Sequence, residues 1–434
     1  METKISNKTL ITTSIGNSDS QLLPGKYLLI KKRSVSFLIL SVYFFLLATV
    51  FGPFTYEGKN FVFIAWTFLG AGYLLITNKK FPLTIGYSFF VLPLYLAFSF
   101  CLNISQSEFN SFIYSLFFLF AYYIFISFFK QRMSVKDFNG ILLVTLCAYF
   151  IVLLAGQIYV KLGYFRGSNI TTGITHDWLG TLYEAGRGFR YYSLSTEPSY
   201  AAFIVVVLFY AYIESSQTKL SKKGNILIWF ILLYMLLFFQ SAYGVILMAV
   251  LIISKTTLRN SIFIIFIGVI IFLIAAVMKQ PAAERVFNLI ANVNLSNLEN
   301  IGSVDYSASF RILPSYFYVS KFNFFDFYSY LGFGAGQSEN FLIPLLFDVP
   351  MDTFQGGFMP QFIYDYGLIF GFIFLVFLRS EVLPKFISFE SFVIFLMLTN
   401  ANFNTQLFWF TITCFALLKF YKKRKHTEST SRKF

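Results

Sequence analysis

Charge is scarce in this chain. Asp, Glu, Lys and Arg together make up 12% of the residues, about half the roughly 25% share of a soluble domain. With 57% hydrophobic residues, too little polar surface exists to cover a water-soluble core, so a soluble enzyme is excluded. Cysteine is nearly absent as well. Cys101, Cys147 and Cys414 lie in or at the ends of apolar runs, with neither metal-ligand spacing nor pairing logic. The long polar segments contain none, so no disulfide staples them. A lone histidine in those segments, His176, makes no metal cluster. Asp-x-Asp, Gly-x-Ser-x-Gly, Walker A and zinc patterns are missing. A divalent metal holding a nucleotide-sugar is therefore unsupported, and neither metal nor cofactor is implied. No internal repeat marks a transporter built from inverted halves.

What fills the chain instead is a succession of apolar runs, and runs of about 18 or more residues read as membrane spans. The expected architecture is an all-α integral membrane protein of about 12 transmembrane helices. These are placed at 35–51, 61–77, 83–102, 112–129, 141–160, 198–214, 226–239, 242–254, 262–278, 362–378, 386–398 and 407–420. Pro93 is expected to kink the third, and the short pair at 226–254 also fits a re-entrant arrangement. Residues 1–34 form an N-terminal tail and 35–160 carry the first five spans. A first large loop covers 161–197, and the next four spans occupy 198–278. A second large loop covers 279–361, the last three spans 362–420, and a basic tail 421–434. The formal charge of +14 comes from 34 Lys and Arg, most of them clustered beside span ends on one side. That pattern follows the positive-inside rule. It places both termini in the cytoplasm, both large loops outside, and the lipid bilayer as the main partner. A nucleic-acid partner would need a basic face on a soluble fold, which is not seen. Lys31-Lys32-Arg33 precedes the first run, which is expected to be a retained span and not a cleaved leader.

The outer loops break the charge bias. The first carries Lys161, Arg166, Arg187 and Arg190, and the second Lys279, Arg285, Arg311 and Lys321. Arginine presents a planar fork of donors that matches phosphate oxygens, so an anionic ligand is one reason for them. Pairing with Asp177, Glu184 and Glu197 is the other. Glu197 precedes Pro198, so it stands at or near the N-terminus of the sixth span. There it acts either as a helix-dipole partner or in catalysis, glutamate being a poor N-cap. His176 reads as a surface residue or as a base. The aromatic stretch 310–333 suits a helix lying in the membrane interface or rings stacking on sugars. Gly332, Gly334 and Gly336 behind it allow close backbone approach. Asn103, Asn169 and Asn294 head glycosylation triplets.

Several of these features combine into a resemblance. The stretch Arg190…Ser193…Ser195-Thr196-Glu197-Pro198-Ser199-Tyr200 resembles the Wzy-type O-antigen and capsule polymerases. So, in the same order, do the Ser-x-x-Gly turn Gln240-Ser241-Ala242-Tyr243-Gly244, then Ser309-Phe310-Arg311 with Gly332-x-Gly334. Tyr364-Asp365-Tyr366-Gly367 through Gly371 completes the series. Arg187, Arg190 and Arg311 lack the ten-residue spacing to glycine described for some members. The related O-antigen ligases usually carry a histidine in the second loop, and none occurs here. The resemblance implies a fold similar to the lipid-dependent, GT-C-like glycosyltransferases, in the bacterial inner membrane. The implied activity polymerises undecaprenyl-diphosphate-linked oligosaccharide units, with a flippase and a chain-length regulator as companions. Ligase and lipid-linked oligosaccharide flippase are the alternatives. Glu197, Arg190 and Arg311 are the expected catalytic residues. Arg166, Arg187, His176, Tyr200, Lys321 and Gly334 are expected to bind diphosphate or glycan.

Overall fold

The computed structural model of the protein describes residues 24–49, 55–56, 59–78, 88–165, 168–169, 174–177, 180–184, 188–216, 222–256, 291–292, 301, 306–320, 322–342, 358–400, 403 and 405–431. Its helices follow the apolar runs. They are α1 (Pro24–Ala48), α2 (Phe61–Thr77), α3 (Ser88–Leu102), α4 (Phe109–Arg132), α5 (Val135–Lys161), α6 (Pro198–Ser215), α7 (Lys222–Phe239) and α8 (Ala242–Lys255). After the second large loop begins come α9 (Tyr306–Ser320), α10 (Phe327–Leu331), α11 (Gln337–Leu342) and α12 (Phe358–Phe377). A π turn (Leu378–Val382), α13 (Phe389–Asn400) and α14 (Gln406–Ser431) follow. Helix starts are written locally. Ser134 Oγ accepts from the Asp137 N–H at 3.2 Å while the Asp137 carboxylate accepts from the Ser134 N–H at 2.9 Å, a capping box at the head of α5. Asn60 caps α2 through the Phe63 N–H at 3.0 Å.

A helix that is apolar on every side must be buried on every side. Helix α6 obeys this: every residue from Ala201 to Tyr212 is buried. Gln406 to Leu418 of α14 are likewise buried. The two helices pack on each other, with α5, α7 and α8 around α6, and α1 and α4 against α14. Aromatic stacking fills the gaps: Tyr43 lies flat on Phe125 with centroids 3.6 Å apart, and Phe362 on Phe403 at 4.2 Å. Gly244 lets α8 approach α6, since a Cβ there would lie 2.9 Å from Ala202 Cβ.

The peripheral helices turn large apolar side chains outward. Leu69 and Ile76 on α2, Leu94 on α3, Val144 on α5 and Phe230 on α7 are all well exposed. A surface this apolar belongs against lipid. Four stretches are long and apolar enough to cross a membrane: Phe109–Arg132, Val135–Lys161, Pro198–Ser215 and Gln361–Val382. Six further apolar helical segments, such as Phe61–Thr77 and Tyr243–Lys255, run 10–17 residues. The expected count of twelve is therefore not reached among the described residues. A span needs about 20 residues at about 1.5 Å each, and the shorter segments fall below that. Eleven of the twelve expected positions still fall on helices, and 262–278 lies outside the described residues. Helix α14 also continues to Ser431, past the expected end at 420.

The all-α expectation needs one amendment. The first large loop holds a four-stranded antiparallel meander, β3 (Ser168–Asn169), β4 (Ile174–Asp177), β5 (Thr181–Glu184) and β6 (Gly188–Tyr191). Two-residue strands β1 (Thr55–Tyr56) and β2 (Lys59–Asn60) pair between α1 and α2. No period-2 pattern announces strands this short.

The basic helix ends gather at one end of the bundle. Lys130 of α4 pairs with Glu381 of the π turn at 3.2 Å. Glu214 at the end of α6 receives Lys255 of α8, and Lys422 of α14 at 2.5 Å. Lys422 also reaches the buried Glu390 of α13 at 3.3 Å. Lys419 Nζ donates to the Arg379, Ser380 and Leu383 carbonyls, tying off the π turn.

Replacing Gly244 with Leu forces α8 off α6. Thermal unfolding in detergent should show a loss of about 1–3 kcal/mol, the usual cost of overpacking a core.

Candidate functional site

At the end opposite these ion pairs, two irregular structures crown the helices. The first is built on α5 and α6. Strand β6 runs into a turn in which Ser193 takes a positive φ of 51°. Tyr192 and Ser193 N–H groups both donate to the Gly180 carbonyl, at 2.8 and 3.2 Å. A Cβ at Gly180, φ 70°, would strike the Ser193 carbonyl. Ser193 Oγ donates to the Tyr149 carbonyl at 2.8 Å, and Tyr149 Oη donates to the Ala48 carbonyl at 2.7 Å. The sheet is thereby moored to α5 and α1.

On this base the register aligns His176 with Leu182 and Leu182 with Arg190. Leu182 is buried and Arg190 half-buried. Arg190 Nη2 donates to the Gln240 carbonyl at 3.2 Å. Gln240 has a positive φ of 48° and starts the turn between α7 and α8, where Ser241 Oγ accepts from the Gly244 N–H. Two motifs separated by about 50 residues in sequence thus meet through one guanidinium. Burial, and next to it Tyr234, push the Tyr191 hydroxyl above its usual range, so this phenol stays neutral at ordinary pH.

Glu197 is the N-cap residue of α6, with Pro198 in the first turn. Its side chain makes no capping bond, is exposed, and accepts from Ser199 Oγ at 3.1 Å. The position matches expectation, but the carboxylate leaves the helix N–H groups alone. Tyr200 is half-buried against the core.

The second structure joins the glycine run to α12. Gly332, Gly334 and Gly336 all have positive φ, at 92°, 117° and 77°, and α12 is interrupted at Gly367, φ 85°. The two breaks lie against each other. Phe333 N–H donates to the Tyr364 carbonyl and Gly334 N–H to the Asp365 carbonyl, both at 3.0 Å. A Cβ at Gly332 would meet Asp365, and one at Gly367 would meet Tyr330. Buried Asp365 then turns its carboxylate to the next turn, accepting from the Gly336 N–H at 3.3 Å and the Ser338 N–H at 2.8 Å. Helix α3 supplies the rest. Tyr95 Oη donates to the Tyr330 and Tyr366 carbonyls, Ser99 Oγ to Leu331, and Asn103 Nδ2 to Gly332. Beyond α3, the Ala335 N–H donates to Ser107 Oγ and the Glu108 N–H to the Ala335 carbonyl.

Two residues noted in the sequence are engaged within the chain itself. The close approach that Gly334 permits is to the chain's own Ser107 and Asn103. Asn103, head of a glycosylation triplet, is buried and its amide is engaged. The sequence motif that contains Asp365 gave no sign that its carboxylate binds the next turn, and nothing marked Ser107 and Glu108 as partners of Ala335. Arg166, Arg187 and Lys321 lie outside the described residues. His176 and Arg311 are placed by backbone alone, in β4 and in α9, which packs on α12. Among the described residues no group of three His, Cys, Asp or Glu could hold a metal ion. Compared with protein-family models, curated proteins and solved structures, the chain finds no match.

Asp365→Asn replaces one acceptor oxygen with a donor facing an N–H group. A stability loss of about 1–3 kcal/mol, the cost of an unmatched buried polar group, is expected from thermal unfolding in detergent.

Proposed function

We propose that this protein is a membrane glycosyltransferase that polymerises undecaprenyl-diphosphate-linked oligosaccharide units in surface polysaccharide synthesis. The reaction breaks the anomeric C–O bond to the lipid diphosphate of the growing chain. It forms a new C–O bond to a sugar hydroxyl of the next lipid-linked unit. The proton of that hydroxyl goes to a base, and the diphosphate leaves with an added negative charge.

The observation that carries this reading is Glu197. Its carboxylate stands exposed at the head of the buried helix α6 and makes no bond to that helix's N–H groups. That leaves it available to take the acceptor proton, a contribution typically worth about 10²–10⁴-fold. Arg190, braced on the Gln240 carbonyl at the same end, is the proposed cation for the leaving diphosphate, with Arg311 as its companion from the second loop. Preorganised cations act on charge that develops in the transition state. The same end carries the irregular, glycine-rich backbone, while the ion pairs occupy the other.

Glu197→Gln keeps the size and Arg190→Lys keeps the charge while removing the fork. Each should slow polymerisation by about 10²-fold or more and collapse the surface polysaccharide ladder toward single repeat units, with protein levels in the membrane unchanged. A normal ladder in the Glu197→Gln strain removes the base. Loss of all surface units, instead of single ones, points to a ligase. Units trapped on the cytoplasmic face point to a flippase.

A further inference from the structure

The aromatic stretch of the second loop contains a hairpin whose depth can be read from two rulers with a common origin. Lys130 of α4 and Glu381 after α12 are ion-paired, so both helices can be measured from that level. From Lys130 up to Phe109, α4 rises about 32 Å at about 1.5 Å per residue. Its preceding Glu108 N–H bonds the Ala335 carbonyl. From Glu381 up to Leu368, just below the Gly367 break, the rise is only about 20 Å. Tyr366 and Tyr330 share the Tyr95 hydroxyl at that level. The chain from Tyr330 to Ala335 therefore climbs on the order of 10 Å. The α3 ladder agrees: Tyr95, Ser99 and Asn103 bond Tyr330, Leu331 and Gly332 in turn. On the other arm, Tyr318 Oη donates to the Ser338 carbonyl at 2.8 Å, so the chain leaves α9 near the top and returns to it.

Between those arms lies a tip that faces outward. Phe325 is 99% exposed, and Phe324, Phe327 and Tyr328 at least half exposed. Tyr330 Oη braces the tip through the Phe324 carbonyl at 3.0 Å. Asn323 and Asp326 side chains accept from the Phe325 and Tyr328 N–H groups, at 3.0 and 3.1 Å, so the turn's polar groups are engaged locally. Helix α3, which bonds Tyr330 and Leu331, exposes Phe90 and Phe98 as well as Leu94, already assigned to lipid.

We propose that residues 322–331 form a shallow re-entrant hairpin whose aromatic tip inserts among bilayer acyl chains, on the side of the membrane that carries the four-stranded sheet. The hydrocarbon slab is about 30 Å thick, and a level about 20 Å above the ion pairs lies inside it. The insertion depth of about 10 Å matches that of interfacial aromatic segments.

The test places a bimane label at Phe325→Cys in a chain whose Cys101, Cys147 and Cys414 are replaced by Ala, reconstituted in phosphatidylcholine nanodiscs. Asn340→Cys, exposed near the top of the loop, is the reference, and Phe324→Cys serves if the first variant is not monodisperse. Nitroxide-bearing lipid should quench the tip label at least about threefold more than the reference, and aqueous iodide about threefold less, as for a buried interfacial ring. Equal iodide quenching at both positions overturns the hairpin's insertion. The readout is independent of polymer synthesis, so it stands or falls apart from the proposed activity.

Discussion

A backbone N–H or C=O surrounded by hydrocarbon has no water to bond, so every departure from helix at that depth must be satisfied by the protein itself. The break at Gly367 meets this constraint by apposition. It lies against a second break at Gly332, whose following residues donate two backbone bonds to the α12 carbonyls just before Gly367. What they leave open is closed by the Asp365 carboxylate, by the Tyr95 hydroxyl of α3 and by the Asn103 amide just after it. The four positive-φ glycines are a consequence: a side chain at Gly332 or Gly367 would occupy the space of the opposing carbonyl.

The same constraint explains how charge is distributed. Ionic groups gather at the helix ends, and at one end several form ion pairs: Lys130 with Glu381, and Lys255 and Lys422 with Glu214 and Glu390. These pairs bring six chain segments to a common level. At the other end the sheet and the glycine turns are held by hydrogen bonds, and Glu197 and Arg190 stand among the charges there. An end closed by ion pairs and an end furnished with an exposed carboxylate and a braced guanidinium are chemically different. The proposed chemistry uses the second.

Much of the fold was legible because apolar runs bounded by Lys and Arg leave few choices. Helix α6 was expected at 198–214 and runs Pro198–Ser215; the turn at Gln240-Ser241 was expected between two helices and lies there. The count of full spans was less legible, since run length in sequence does not say how a short helix is tilted or packed. The meander of the first loop was not legible at all. Its strands are two to four residues long, too short for alternation to register, and its fixing points, Tyr149 and Gly180, have no motif. Glu197 was legible as a helix-start residue; that its carboxylate leaves the cap unfilled was not, because the side-chain rotamer depends on Ser199 and on what surrounds it.

By itself the sequence determined the medium, because a chain with 12% charge and 57% hydrophobic residues can bury its surface only against lipid and itself. It also determined which segment ends are basic. Tertiary structure alone decided which distant segments meet: Arg190 with the α7–α8 turn, and the glycine run with the Gly367 break. The reason is that a backbone carbonyl has no residue identity, and the partners in both meetings are carbonyls, Gln240 in one and Tyr364 and Asp365 in the other.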